Sequence, residues 1–405
     1  MIDSLPVRMS GPLEPFAAGF AAWLSGQGYP PSSAAQQLQL MAHLSRWLAA
    51  EGCDAGAVDD EVVDAFVASR RACGYTSRLT GRALVGLLGY LRGLGAMPAP
   101  LVRAPEGPVE GLLDRYRRYL VVERGVSAST VRGNVRAVRP FLDGRVSSDG
   151  LGLDLEHLCA GDVMAFVVAR CPSQSQGSAK LTVRALRSLL GFLYVEGVID
   201  RPLAGAVPSV ASWRLSGLPK GLGPAQVANL LESCDQGTVV GRRDLAILML
   251  LARLGLRAGE VAALELEDVD WRAGELLVRG KGSRCERLPL PADVGERIAA
   301  YLRDGRPGTA QGRAVFVRVK APHRELTSGA VSQVVAVAAQ RAGLGAIYAH
   351  RLRHTAASEL LRAGSSLVEV GQILRHRSML TTAIYAKVDL EALRSIARSW
   401  PGGEA

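Results

Sequence analysis

Two pairs of segments about a hundred residues apart repeat one another, and this repetition restricts the fold more than any other feature. LTGRALVGLLGYLR at residues 79–92 aligns without gaps on LTVRALRSLLGFLY at residues 181–194, with nine of fourteen positions identical, and VDAFVASR at 63–70 falls on VMAFVVAR at 163–170. Both blocks keep nearly the same offset, which shared helical patterning alone would hardly produce, so the front half holds two copies of one small unit. Apolar residues at helical spacing give each copy an opening amphipathic helix, a second after a Ser-rich start, a third over the AFV block and a fourth over RAL. Pro98, Pro100, Pro105 and Pro108 mark a linker between the copies, and residues 206–220, with Pro208 and Pro219, mark a tether to the remainder. The expected domains are 1–107, 108–207 and 208–405.

The copies differ in charge. The chain carries a net +10, which suits a polyanionic partner. Lys and Arg against Asp and Glu number 8 to 9 over residues 1–107, 13 to 10 over 108–207 and 27 to 19 beyond. In the second copy Arg132, Arg136 and Arg139 form a stripe beside an apolar one of Val131, Val135, Val138 and Leu142, and Lys180, Arg184 and Arg187 repeat that spacing. One such stripe is usually a solvated face, whereas two on neighbouring helices suit phosphate contacts. At the first-stripe positions the first copy has Leu38, Ala42 and Ser45. Of the other stripe it keeps Arg78 and Arg82 but has Val85 for Arg187. Its uncharged face is expected to serve protein contacts instead.

No run of 18 apolar residues occurs, since the longest candidate near Leu245 stops at Arg253, and MIDSLPVRMS lacks the apolar core of a signal peptide. A cytoplasmic location is expected. The six cysteines are scattered without a C-x-x-C pair, so reduced thiols and no metal are expected.

Chemistry concentrates at residues 349–388, AHRLRHTAASELLRAGSSLVEVGQILRHRSMLTTAIYAKV, which hold three of the six histidines. Helical spacing puts His350 and Arg353 on one face, with Gly364 as a C-cap and further short helices over 367–374 and 381–388, the last carrying Tyr385. Upstream, LGLRAGE places Arg257 in a turn between two apolar helices, where its permanent charge needs an anion or carboxylate, and Glu260 is the local candidate. Alternating apolar residues around Gly280-Lys281-Gly282 read as a β-hairpin with Lys281 at its tip. Residues 291–303 read as a helix, AVFVRV at 314–319 as a strand, 328–344 as a helix and DLEALRSIARSW as an amphipathic tail helix. Taken alone, His-x-x-Arg also arises by chance in helices, and a buried tyrosine usually just caps a core.

Arg257, Lys281, His350, Arg353, His376 and Tyr385, in this order and within the strings LGLRAGE, GKG, H-x-L-R-H and T-T-x-x-Y, resemble the active site of the tyrosine recombinases, the integrase family. The resemblance spans roughly residues 219–400, and the second helical copy resembles that family's core-binding domain, which clamps DNA. It implies a mainly α protein, with two helical core-binding-like domains followed by a mainly α catalytic domain carrying a small antiparallel sheet. It further implies that Tyr385 attacks phosphorus, Arg257 and Arg353 clamp the phosphate, His350 is the base, Lys281 protonates the leaving oxygen and His376 bonds the scissile phosphate, with Glu260 and His354 in support and neither metal nor ATP. The implied partner is a double-stranded DNA site, bound by a dimer to tetramer of the chain, alone or with partner recombinases, and the tail helix docks at home or on a neighbouring protomer. The two-copy front half is similar to transposon-encoded members such as the recombinase-in-trio proteins. A catalytically silent DNA-binding member and a type IB topoisomerase remain the alternatives. One position departs from the family: Arg375 stands where it usually has glycine.

Overall fold

The computed structural model describes residues 7–99, 106–211, 221–280, 285–376, 378 and 382–388. The chain forms two compact units, one of residues 101–216 and one of residues 1–100 together with 217–405.

The first copy folds as α1 (Ala17–Gly26), α2 (Pro31–Ala50), α3 (Asp60–Ala72) and α4 (Val85–Gly93), the last preceded by a 3-10 turn, Gly81–Leu84. Helix α2 opens with Pro31, whose missing N–H would be unsatisfied there anyway. The Asp59 carboxylate accepts the Val62 N–H at 2.9 Å to cap α3, which carries acids in its first turn and Arg70 and Arg71 in its last, matching the helix dipole. Phe20, Leu24, Leu44, Leu84 and Leu91 lie in one apolar core. Leu38, Ala42 and Ser45 do not form the open face expected of them. All three are buried, and Ser45 Oγ accepts the Leu13 N–H at 3.0 Å. The copy buries those positions in its own core and uses Ser45 to hold its N-terminal segment.

The second copy repeats the plan with α5 (Pro108–Val122), α6 (Ala128–Asp143), α7 (Ala160–Arg170) and α8 (Gln176–Val195) around a separate apolar core that includes Leu113, Tyr116, Val135, Leu142, Leu186 and Leu190. The fourth helices differ. Helix α8 starts at Gln176, so Lys180, Arg184 and Arg187 are all helical, whereas α4 starts only at Val85 and leaves Arg78 in the preceding loop. Gly81 stands where the second copy has Val183, and glycine weakens a helix start.

From residue 221 the chain builds around α10 (Val239–Arg253), which follows α9 (Pro224–Glu232). Every residue from Leu245 to Ala252 is buried, as expected for a helix surrounded on all sides. Next come α11 (Ala258–Ala262) and a sheet of order β1 (Val269–Asp270), β2 (Glu275–Arg279) and β3 (Cys285–Pro289), antiparallel throughout, with Leu276 opposite Leu288 and Arg279 opposite Cys285. Among the described residues four α-helices follow: α12 (Ala292–Asp304), α13 (Ser328–Arg341), α14 (Ala349–Arg362) and α15 (Leu367–Ile373). The strand expected over AVFVRV is absent. Only isolated bridges, Glu265 with Ala314 and Val317 with Glu325, tie this segment, while Val315, Phe316 and Val317 are buried. An apolar run that short fills a core without a ladder partner. The protein is thus mainly helical with a small antiparallel sheet. No helix among the described residues is long and apolar enough to cross a membrane. The tail helix expected at 389–400 lies outside the described residues.

Candidate active site

Helix α14 buries Leu352, Ala356, Ala357 and Leu361, and this face carries Arg353 inward with them until only 1 % of it is exposed. Its guanidinium donates to the Gly255 carbonyl at 2.6 Å and to the Leu374 carbonyl. Both acceptors lie at helix ends, where carbonyls lack intrahelical partners. Gly255 can end α10 this closely because its φ is +59°, and a Cβ there would come within 2.5 Å of Leu374. Burial above all, then the charges of Arg257 and Arg375, lower the Arg353 pKa to about 10, which leaves it cationic at neutral pH.

Arg257 sits at the N-cap of α11, where the Glu260 carboxylate accepts both its backbone N–H at 2.8 Å and its side-chain Nη1 at 2.6 Å. The sequence pairing of these two residues is therefore observed. The Arg257 side chain remains 45 % exposed, so its guanidinium can still meet a ligand. Glu260 also pairs with Arg375 at 2.7 Å, both side chains being 95 % buried. Burial is the largest influence on Glu260 and raises its pKa, but the Arg257 N–H and the charges of Arg375 and Arg257 outweigh it and keep the carboxylate ionised.

Arg375 answers the question posed by its sequence. Its φ is +55°, the left-handed conformation that glycine adopts freely and that costs other residues about 1–2 kcal/mol. The ion pair with Glu260 offsets that cost and adds a third guanidinium beside the other two. Replacing Glu260 with alanine should therefore cost about 3–5 kcal/mol, because Arg375 would be left charged and buried. Arg375→Gly, which relieves the backbone, should recover a large part of that loss in the double variant. Denaturant midpoints of the two single variants and the double variant measure the coupling, and additive losses would mean that the pair carries no such energy.

Tyr385 lies in a short 3-10 helix, Ala383–Val388, where a short helix was expected, and is buried against Ala357, Leu361, Val370 and Leu374. Its hydroxyl is 2.7 Å from His354 Nδ1, and burial raises its pKa to about 12. His350, expected to serve the tyrosine, instead packs edge-on against His354, with ring centroids 4.6 Å apart. His376 lies parallel to the Tyr385 ring with centroids 6.4 Å apart, and its Nδ1 is 2.8 Å from Thr382 Oγ1. Burial first, then nearby charge, lowers all three imidazoles: His350 by Arg353 and Arg257, and His354 and His376 to about 4. Each is uncharged at pH 7 and, by the same lowering, a weak base until an anion offsets the surrounding positive charge. The cluster thus gathers positive charge on arginines that keep it and proton-accepting capacity on imidazoles that lack it, an arrangement suited to an anionic substrate and a phenol nucleophile. The structure brings Arg257, Glu260, His350, Arg353, His354, His376 and Tyr385 together with Arg375. Lys281 lies outside the described residues.

In the second copy Arg132 and Arg136 are exposed and, among the described residues, make no ion pair, as are Lys180 and Arg184. The other two stripe members are engaged: Arg139 pairs with Glu110, and Arg187 donates to the Val207 carbonyl at 2.8 Å and to Ser209 Oγ at 3.1 Å. On the reading that this face meets DNA, alanine at Arg132 and Arg136 should make the salt dependence of binding shallower, by about 0.9 in log–log slope for each phosphate that is no longer neutralised. Arg139→Ala should change that slope little, and titrations at several salt concentrations decide the matter.

Comparison with known proteins matches residues 220–391 to the Phage integrase family and residues 113–197 to Phage integrase, N-terminal SAM-like domain. The chain is 41% identical to the putative integrase/recombinase y4rA of Sinorhizobium fredii, covering 97% of this chain and 95% of that protein. It is 34% identical to the tyrosine recombinase XerD of Mycobacterium tuberculosis, over 72% of this chain and 96% of the relative. Its fold is similar to that of the XerH site-specific recombinase bound to a palindromic difH substrate in a post-cleavage complex, with a TM-score of 0.57, 20% identity and coverage of 74% of this chain and 99% of that one.

Proposed function

This chain belongs to the phage integrase family, the tyrosine recombinases, and from that premise we propose that it cuts and rejoins DNA at a specific site through a covalent 3′-phosphotyrosine. The observation that carries this reading is the Tyr385 hydroxyl, 2.7 Å from a neutral imidazole in a pocket charged by three arginines. The tyrosine oxygen attacks phosphorus and its proton passes to His354, with His350 packed behind to share it. The bond to the 5′ oxygen breaks, and Lys281 protonates that oxygen as it leaves. Arg257, half exposed, binds the non-bridging oxygens, and Arg353 adds its charge to the same phosphate as negative charge builds in the transition state. His376 contacts the phosphate from the other side of the tyrosine ring. Rejoining is the reverse attack by a 5′ hydroxyl, and because the phosphotyrosine keeps the ester bond, no ATP is consumed.

The helical copy with free Arg132, Arg136, Lys180 and Arg184 grips the duplex. The chain works in the cytoplasm on double-stranded DNA as a dimer to tetramer, with or without partner recombinases. The three-domain division at 107 and 207 is part of this reading. It is supported by separate apolar cores spanning residues 13–97, 112–207 and 222–352. Incubating the protein with a nicked duplex carrying its site, in excess EDTA and without ATP, should trap a covalent protein–DNA adduct resolvable on a denaturing gel. An absolute requirement for magnesium in the cleavage step would overturn the proposed chemistry.

A further inference from the structure

Apart from the active site, the first helical copy holds an open cavity of about 420 Å³, lined by Gln36, His43, Arg70, Tyr75, Ser77 and Arg78 among others, with no acidic side chain in its lining. Arg70, at the end of α3, is 93 % buried. Its guanidinium lies over the Tyr75 ring, 4.0 Å from the centroid, and near the Phe66 ring at 5.8 Å. It donates from Nη2 to the Ser77 carbonyl at a long 3.4 Å, while Nε and Nη1 are buried with no hydrogen-bond partner, and no carboxylate lies within ion-pairing distance among the described residues. A guanidinium cannot shed its charge, so one that is desolvated and unpaired calls for an anion. The aligned Arg170 of the second copy is exposed and makes no such demand.

The rest of the wall is built to match. Arg78 stands in the loop at φ +57°, held there by donating to the backbone and side-chain oxygens of Gln36. His43 Nδ1 is 3.2 Å from the Tyr75 hydroxyl. Two fixed guanidiniums, two hydroxyls, an imidazole and two amides surround a space larger than a carboxylate needs. Donors on several sides suit an anion with oxygens on several sides.

We propose that the first helical copy contains a binding pocket for a phosphoryl group, anchored by Arg70 and Arg78. The pocket is independent of the recombination chemistry. Its ligand is a phosphodiester of DNA or a free phosphate compound, and one experiment separates the two.

The test is NMR of the full-length chain with carbon-labelled histidines, titrated with inorganic phosphate at constant ionic strength. The six histidines include His43, whose signal is identified by its loss in His43→Gln. His43 reports locally: burial, then Arg46 and Arg70, lower its pKa, and Tyr75 and Arg78 also face it across the cavity. A bound phosphate should move its signal saturably and raise its pKa, separately from any change at the active-site histidines. Arg78→Gly fits the left-handed backbone without strain, so it should leave thermal stability intact while weakening the response roughly tenfold, the usual scale for a lost charged hydrogen bond. Arg70→Met should remove it.

A short duplex DNA titrated in the same way identifies the source. A His43 response to duplex that Arg78→Gly weakens assigns the pocket to the DNA backbone, and a response to inorganic phosphate alone assigns it to a free phosphate compound. The proposal is overturned if neither moves the His43 signal, if acetate moves it equally, or if Arg78→Gly leaves the response unchanged.

Discussion

Tyr385→Phe should eliminate DNA cleavage while leaving duplex affinity nearly unchanged. The substitution removes one hydroxyl and no guanidinium, and the phenyl ring keeps its apolar contacts with Ala357, Leu361, Val370 and Leu374. His354 Nδ1, which is half-buried, loses its hydrogen-bond partner, so the fold should weaken by about 0.5–1.5 kcal/mol, the net worth of an ordinary hydrogen bond. A denaturing gel on a nicked substrate reads the adduct, and a titration on the intact duplex reads the affinity. An adduct formed by the phenylalanine variant would remove Tyr385 from the role of nucleophile.

Lys281→Ala should slow cleavage by roughly 10²–10⁴, the usual worth of a general acid. A substrate whose 5′-bridging oxygen is replaced by sulfur should recover much of the rate, because a thiolate departs without a proton. An equal defect on both substrates would instead make the lysine a phosphate contact.

The helices and the pairing of Arg257 with Glu260 were legible because they rest on short-range periodicity and spacing. The misread elements depend on contacts distant in sequence. Leu38, Ala42 and Ser45 looked like a free face although all three are buried, and the Leu13 N–H that Ser45 receives comes from 32 residues away. AVFVRV has strand composition, but its neighbours offer single bridges and no ladder. His350 and His354 are both within reach of a turn carrying Tyr385, and sequence spacing does not say which imidazole meets the hydroxyl. Arg375 appeared only as a departure from glycine, and its use became visible once Glu260, 115 residues away, was seen to hold it.

Arg353 fastens two helix ends and, in the proposed chemistry, also lends its charge to the phosphate, and this double duty governs how such a protein can lose its activity over generations. A lineage drifting toward a DNA-binding remnant that no longer cuts could discard the tyrosine hydroxyl and keep a folded protein. Discarding Arg353 would strand the carbonyls of Gly255 and Leu374 together, and such copies would be cleared as unstable before they could persist as silent ones. Decayed descendants should therefore retain the arginine long after the nucleophile has gone, and the arginine alone would be a poor marker of an active enzyme.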